Sequence, residues 1–178
     1  KFVIDNTAPD MPAIIGVTNG YYNADVTFDI SGAEAGGTIQ YSYDGTNWSD
    51  YSGMVTITDE GTYNLRARHI DIAGNVSIYT DIVTIVIDKT SPAVGSGITF
   101  TNIQTTSVTV NWGAGSDNST EIENLRYKLV KATTSTAIDT IDEVNAITGA
   151  DLVMDWTTNT ITKNVTGLTS STIYYFAA

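Results

Sequence analysis

The chain has 178 residues, 42% hydrophobic and only 16% charged, with a formal net charge of −12. A surface that acidic repels phosphate backbones and anionic bilayers, which excludes nucleic-acid binding. Cysteine is absent, which argues against a disulfide-stapled eukaryotic domain and for a bacterial surface or cytosolic protein. No stretch is apolar enough to insert in a membrane as a helix.

The chain also repeats itself. Phe2-Val3-Ile4-Asp5-Asn6-Thr7-Ala8-Pro9 returns as Ile85-Val86-Ile87-Asp88-Lys89-Thr90-Ser91-Pro92, and Asp88 follows Asp5 by 83 residues. A fixed period of that size marks tandem arrays. The second copy closes a domain, so residues 1–8 are expected to be the tail of a preceding repeat.

After Pro9, short alternating bursts are separated by turns. Pro12 to Thr18 is a first strand, and Asp25 to Ile30 is a strict period-2 strand with Val26, Phe28 and Ile30 on one face. Residues 31–37 form a loop. Ile39, Tyr41 and Tyr43 then share a face, and Asp44-Gly45 is a hairpin signal because both residues tolerate positive φ. Met54 to Thr58 is a short strand. Thr62 to His69 alternates again, with Tyr63, Leu65 and Ala67 inward and Arg66 and Arg68 toward water. A loop over Asp71 to Asn75 leads into a closing strand over Ile78 to Ile87. About seven strands without a helix is the pattern of a β-sandwich.

The second half starts after Pro92. Val108, Val110 and Trp112 line one strand, and Leu125, Tyr127 and Leu129 line the next. Ile161 to Val165 and Ser171 to Phe176 supply two more. Between them Ile138, Ile141, Val144 and Ile147 recur every three residues, which predicts a short helix near 139–147. The chain stops at Ala178 inside a strand, so this sandwich is expected to lack its final strand and to offer an open edge for self-association. Only Lys89-Thr90-Ser91 lies between Asp88 and Pro92, a linker too short for free coil, so limited bending is expected.

Both halves resemble known modules. Tyr41-Ser42-Tyr43-Asp44-Gly45-Thr46-Asn47-Trp48, Gly61-Thr62-Tyr63-Asn64-Leu65-Arg66-Ala67-Arg68, Asp71-Ile72-Ala73-Gly74-Asn75 and the Ile87-Asp88 close resemble the Ig-like repeats of bacterial surface proteins. Trp112, Tyr127 and Gly167-Leu168-Thr169-Ser170-Ser171-Thr172-Ile173-Tyr174 resemble a fibronectin type III domain, with a long insertion around residues 132–158 as the departure. In that family the corner Tyr hydroxyl bonds back to the backbone. The fold expected is all-β: two tandem Ig-like and fibronectin III-like β-sandwiches at 9–88 and 93–178, joined by a linker at 89–92. The resemblance implies an extracellular location on a bacterial surface, with neighbouring domains of the same polypeptide as partners. It implies no ligand.

Candidate chemistry is sparse. His69 is the only histidine and, by parity, ends an inward-facing row, so a structural role is expected and no catalytic residue is assigned. Asp5, Asp71, Asn75 and Asp88 are oxygen ligands at the ends of the first module, a set that would suit Ca²⁺ and stiffen the joint. The competing reading makes Asp71 to Asn75 a turn capped by its own side chains. No other cofactor is expected. Trp48 and Tyr51 would suit stacking on a sugar ring, against the alternative that they pack over the sandwich edge. The Asn-x-Ser/Thr sequons at Asn47, Asn75, Asn118 and Asn164 are expected by chance in so Asn- and Thr-rich a chain. Two functions remain open: a non-catalytic stalk that displays other domains, or a module binding carbohydrate or a host protein, adhesive or accessory to a secreted glycanase.

Overall fold

The computed structural model describes residues 4–32 and 34–178. Phe2 and Val3, which open the first copy of the repeated motif, lie outside the described residues, as does Ala33 in the expected 31–37 loop. The chain divides into two compact units, Lys1–Lys89 and Thr90–Ala178.

The first unit carries β1 (Ala13–Ile15), β2 (Gly20–Tyr22), β3 (Val26–Ser31), β4 (Thr38–Ser42), β5 (Ser49–Asp50), β6 (Val55–Ile57), β7 (Gly61–Ile70) and β8 (Val83–Ile87). One sheet has the order β1-β3-β6 and the other β2-β8-β7-β4-β5. Strand β2 runs parallel to β8, and the remaining pairs are antiparallel. Strand β3 shows how the sequence makes the sandwich. Val26, Phe28 and Ile30 are buried while Thr27, Asp29 and Ser31 are exposed, because successive side chains leave a strand on opposite faces. The buried row meets Ile39, Leu65, Ala67, Ile85 and Ile87 of the facing sheet. Phe28 sits edge-on to Tyr41 and Tyr43, with ring centroids 5.6 and 6.4 Å apart. Burial, reinforced by the neighbouring Tyr41 and Tyr63, pushes the Tyr43 phenol up to about 12.

The strand expected over 78–87 is shorter than the sequence implied. Only Val83–Ile87 pairs as β8, and Ile78 and Ile82 are 74% and 50% exposed. Upstream of β8, two buried hydroxyls replace the missing ladder partners of β7. Thr80 Oγ1 accepts the Ala67 N–H at 3.0 Å, and Ser77 Oγ accepts the His69 N–H at 2.9 Å. Strand β2 was not anticipated. Three residues are too few to show a period, and its partner β8 lies more than sixty positions away. Arg66 and Arg68, expected to face water, are half-buried, because aromatic rings cover them.

The second unit carries β9 (Thr99–Thr101), β10 (Ser107–Asn111), β11 (Arg126–Ala132), α1 (Ile141–Ala146), β12 (Leu152–Thr158), β13 (Thr162–Thr166) and β14 (Tyr175–Ala177). Its sheets have the orders β13-β10-β9 and β12-β11-β14, with every pair antiparallel. Val108, Val110, Trp112, Leu129, Met154 and Val165 form the core between them. Tyr174 Oη accepts the Thr169 N–H at 3.1 Å, which closes the corner expected there.

The residues read as an insertion are ordered. Strand β12 extends the sheet beside β11, its second half too polar to alternate visibly. The predicted helix forms as Ile141–Ala146, held by a capping box in which Thr140 and Glu143 exchange backbone and side-chain bonds. Ile138, Val144 and Ile147 pack on Val130 and Ala132, but Ile141, in the helix's first turn, is 79% exposed. Buried Lys128 donates to the Asn145 carbonyl at 2.9 Å, placing a cation at the helix C-terminus, where the backbone dipole favours it.

Removing the Thr80 hydroxyl while keeping its shape tests the role of these buried groups. Thr80→Val leaves the Ala67 N–H buried without an acceptor and is expected to cost about 1–3 kcal/mol in denaturant titration, whereas Thr80→Ser should cost less. Equal stability of the two variants would show that the hydroxyl contributes nothing.

Candidate functional site

Parity along β5 decides what Trp48 and Tyr51 can do together. Ser49 pairs with Tyr41 and Asp50 with Gln40, so Trp48 and Asp50 share the outer face while Ser49 and Tyr51 point inward. Tyr51 packs against the core of the first unit, and its hydroxyl donates to Asp29 Oδ1. Trp48 is half-buried on the outside. The Arg68 guanidinium lies 4.2 Å from its ring centre, and the Tyr79 ring lies 5.3 Å away. The structure therefore does not bring Trp48 and Tyr51 onto one sugar-binding surface.

What it builds instead is a ladder across the outer face of the larger sheet. Asp50 Oδ1 accepts from Gln40 Nε2 at 2.7 Å, and Gln40 Oε1 accepts both Nε and Nη2 of Arg68, at 2.9 and 2.6 Å. Beyond Trp48 and Tyr79, Arg66 stacks over the Tyr79 ring at 5.1 Å and donates to the Thr80 carbonyl. This cluster escaped the sequence reading, although a signal was there: Gln40, Arg66 and Arg68 occupy outward positions on paired strands, the same parity as Trp48. Beside the ladder, Asn19, Asp44, Asn64, Arg66 and Thr84 line a shallow, open cleft.

The four proposed oxygen ligands separate into two groups. Asp71 accepts the Asn75 N–H on Oδ1 and the Asn75 side-chain amide on Oδ2, both at 2.8 Å, and that amide also donates to the Asp5 carbonyl at 3.2 Å. Asp88 lies elsewhere. Its N–H donates to the Tyr22 carbonyl, next to Ile87, which pairs with Gly61 at the opposite end of β7. The ten residues of β7 separate the ends by about 30 Å. Asp5, Asp71 and Asn75 are thus brought together, and Asp88 is not. Among the described residues, no group of three or more carboxylate or imidazole side chains is arranged to hold a metal ion. The Asn75 amide hydrogen bonds are the main reason the Asp71 carboxyl sits below its ordinary range. Asp44, in the hairpin loop after β4, is lowered further by the N–H groups of Asn47 and Thr46.

His69 is fully buried. Its Nε2 accepts the Glu34 N–H at 3.3 Å, and the chain at Gly37 crosses so close that a Cβ there would lie 2.3 Å from Nε2. The ring holds a loop and is closed to substrate.

No family model matches the chain. In an alignment of 129 positions that covers 64% of this chain, it is 31% identical to Exoglucanase B of Cellulomonas fimi, of which it spans 12%. Among solved structures, a segment of titin domains aligns with 93% of the chain and 58% of its own length, at TM-score 0.52 and 15% identity. The FN1–FN3 domains of chicken CNTN1 align with 94% of the chain and 58% of theirs, at TM-score 0.45 and 12% identity. The titin likeness is one of fold. Both units are β-sandwiches of the immunoglobulin and fibronectin type III kind, as their residues led one to expect.

Two measurements follow from this geometry. A double-mutant cycle of Trp48→Ala and Arg68→Ala should give a coupling of about 0.5–1 kcal/mol in stability, the size of an exposed cation–π pair; additive effects would reduce the ladder to coincidental proximity. The lowered carboxyls of Asp44 and Asp71 bind protons less readily folded than unfolded. The stability they add is therefore full above the ordinary carboxyl range near pH 4 and is lost as pH falls toward their folded values. The fall in melting temperature of the first unit below pH 4 should be shallower in an Asp44→Asn, Asp71→Asn variant than in the parent sequence.

Proposed function

We propose that this chain is a non-catalytic spacer from a larger bacterial secreted or cell-surface protein, holding other domains of the same polypeptide apart in the extracellular space. What carries this reading is how the candidate ligand groups are occupied. The Trp48 ring is stacked by Arg68, the Tyr51 hydroxyl bonds Asp29, and Asp71 is closed on Asn75. Each serves its own fold. The 83-residue repeat of the strand-and-proline motif supports a tandem arrangement. The match to a small part of a long exoglucanase supports a place beside glycan-degrading domains.

A second reading has one observation in its favour. Trp48 keeps part of its ring exposed next to the polar cleft of Asn19, Asn64, Arg66 and Thr84, an arrangement that would suit carbohydrate or a host-protein surface. On the same terms, Ca²⁺ at Asp5, Asp71 and Asn75 would bind the native state alone and raise its stability by RT ln(1 + [L]/Kd).

Three measurements separate these readings. Pulled from its two ends, the chain should unfold in two steps, each releasing on the order of 280 Å of chain. It should migrate at an unchanged rate in gels containing soluble cellulose derivatives, xylan or chitosan. Melting in Ca²⁺ and in chelator should coincide. Retardation by a polysaccharide that disappears in Trp48→Ala would overturn the spacer reading in favour of a binding module.

A further inference from the structure

The cleft beside the aromatic ladder is lined by Asn19, Asp44, Asn64, Arg66, Ile82 and Thr84. Strand pairing assembles it. Thr84 of β8 stands opposite Asn64 of β7, and Arg66 follows Asn64 on the same outward face, opposite Ser42 of β4. Asn19, just before β2, reaches Thr84 from the other side. The amide and carboxylate oxygens of the lining are already in use. Asn19 Oδ1 accepts the Thr84 N–H at 2.6 Å, and Asn64 Oδ1 accepts the Thr84 hydroxyl at 3.0 Å. Asp44 Oδ1 accepts the N–H groups of Thr46 and Asn47, and Oδ2 accepts the Asn47 amide, so its charge is compensated inside its own hairpin loop.

What is left over is donors. Among the described residues, the side-chain amide nitrogens of Asn19 and Asn64 have no hydrogen-bond partner. Arg66 gives Nε to the Thr80 carbonyl and one face of its guanidinium to the Tyr79 ring, which leaves both Nη groups. The ion pairs among the described residues are Lys89 with Asp25 and Lys131 with Asp151, so Arg66 has no carboxylate although the chain carries 20 acidic residues. A guanidinium fork matches the two oxygens of a carboxylate with parallel N–H···O bonds. Sugar hydroxyls must donate as well as accept, and here they would find few free acceptors. The net charge of −12 repels polyanions, which favours a single carboxylate over a charged polymer.

We propose that this cleft holds one carboxylate group, bound by the Nη groups of Arg66 and steadied by the side-chain amides of Asn19 and Asn64. The proposal rests on the second reading above, in which this face is a binding surface, and it names the ligand class. The carboxylate belongs either to a small organic acid or to a uronic acid whose ring lies toward Tyr79 and Trp48.

Titration of isotope-labelled protein with sodium acetate, sodium glucuronate and glucose at matched ionic strength, followed by NMR on side-chain N–H signals, tests it. Both salts should shift the Arg66, Asn19 and Asn64 signals to saturation, and glucose should leave them in place. Arg66→Gln should abolish the shifts, and Arg66→Lys, which keeps the charge without the fork, should weaken binding about tenfold. Asn64→Asp, at an exposed position, keeps the oxygen that Thr84 bonds and sets a second carboxylate in the cleft; it should abolish binding at the parent melting temperature. Glucuronate binding that exceeds acetate and falls to the acetate level in Trp48→Ala assigns the source to a uronic acid. Equal affinities assign it to a small organic acid. Absence of saturable shifts with both salts would overturn the proposal, as would binding that survives Arg66→Gln. Glucose binding as well as glucuronate would keep the binding surface and overturn the carboxylate.

Discussion

A strand has only two faces, and that constraint governs most of what this molecule can do. Once Val26, Phe28 and Ile30 are committed to the core of the first unit, the remaining side chains of that strand go outward. The same parity along β4, β5 and β7 sends Tyr41, Tyr51 and Leu65 inward and Gln40, Trp48 and Arg68 outward. A core of aromatic and branched residues and an outer ladder of Arg, Gln and aromatic groups are two sides of one alternation. The ladder is not decoration added to a finished sheet, since its residues are fixed in position by their inward neighbours.

Alternation was also what made the fold legible. Strands β3, β7 and β10 alternate strictly and can be read without knowing their partners. The three-residue recurrence of Ile138, Ile141, Val144 and Ile147 marks the one α-helix among the described residues, whose start at Ile141 lies within two residues of the expected one. Elements defined by distant partners were not legible. Strand β2 exists because β8 accepts it in parallel, and β12 because β11 accepts it antiparallel. The 78–82 segment was misread for a related reason. Its Ile and Tyr residues suit a strand, yet the ladder there is completed by hydroxyls of Ser77 and Thr80, and no hydrophobicity pattern reports a side chain standing in for a backbone.

The candidate site divides along the same line. Their places in one loop and at the two junctions of the first module brought Asp5, Asp71, Asn75 and Asp88 to notice as a set, but sequence spacing says nothing about which end of a sandwich each occupies. Strand length does: a ten-residue β7 holds Asp88 far from Asp71. Parity would have separated Trp48 from Tyr51 without a structure, since residues three apart on a strand face opposite ways. His69 was placed correctly by parity and buried as that implied.

The Asx-type turns at Asp44 and Asp71 share one construction. In each, a carboxylate gathers backbone N–H groups and is then closed by the side-chain amide of an asparagine, Asn47 in the first and Asn75 in the second. Both asparagines also begin Asn-x-Ser/Thr triplets. In a eukaryotic secretory host, the nitrogen that would carry the oligosaccharide is the one that fastens each turn. Glycosylation there would take one amide hydrogen and set a bulky chain against the carboxylate it serves. Material for study is therefore better made in a host that leaves asparagine unmodified, or with Asn47 and Asn75 kept intact by replacing Ser49 and Ser77 one at a time. Ser49 is the safer change, because the Ser77 hydroxyl is itself the acceptor for the His69 N–H.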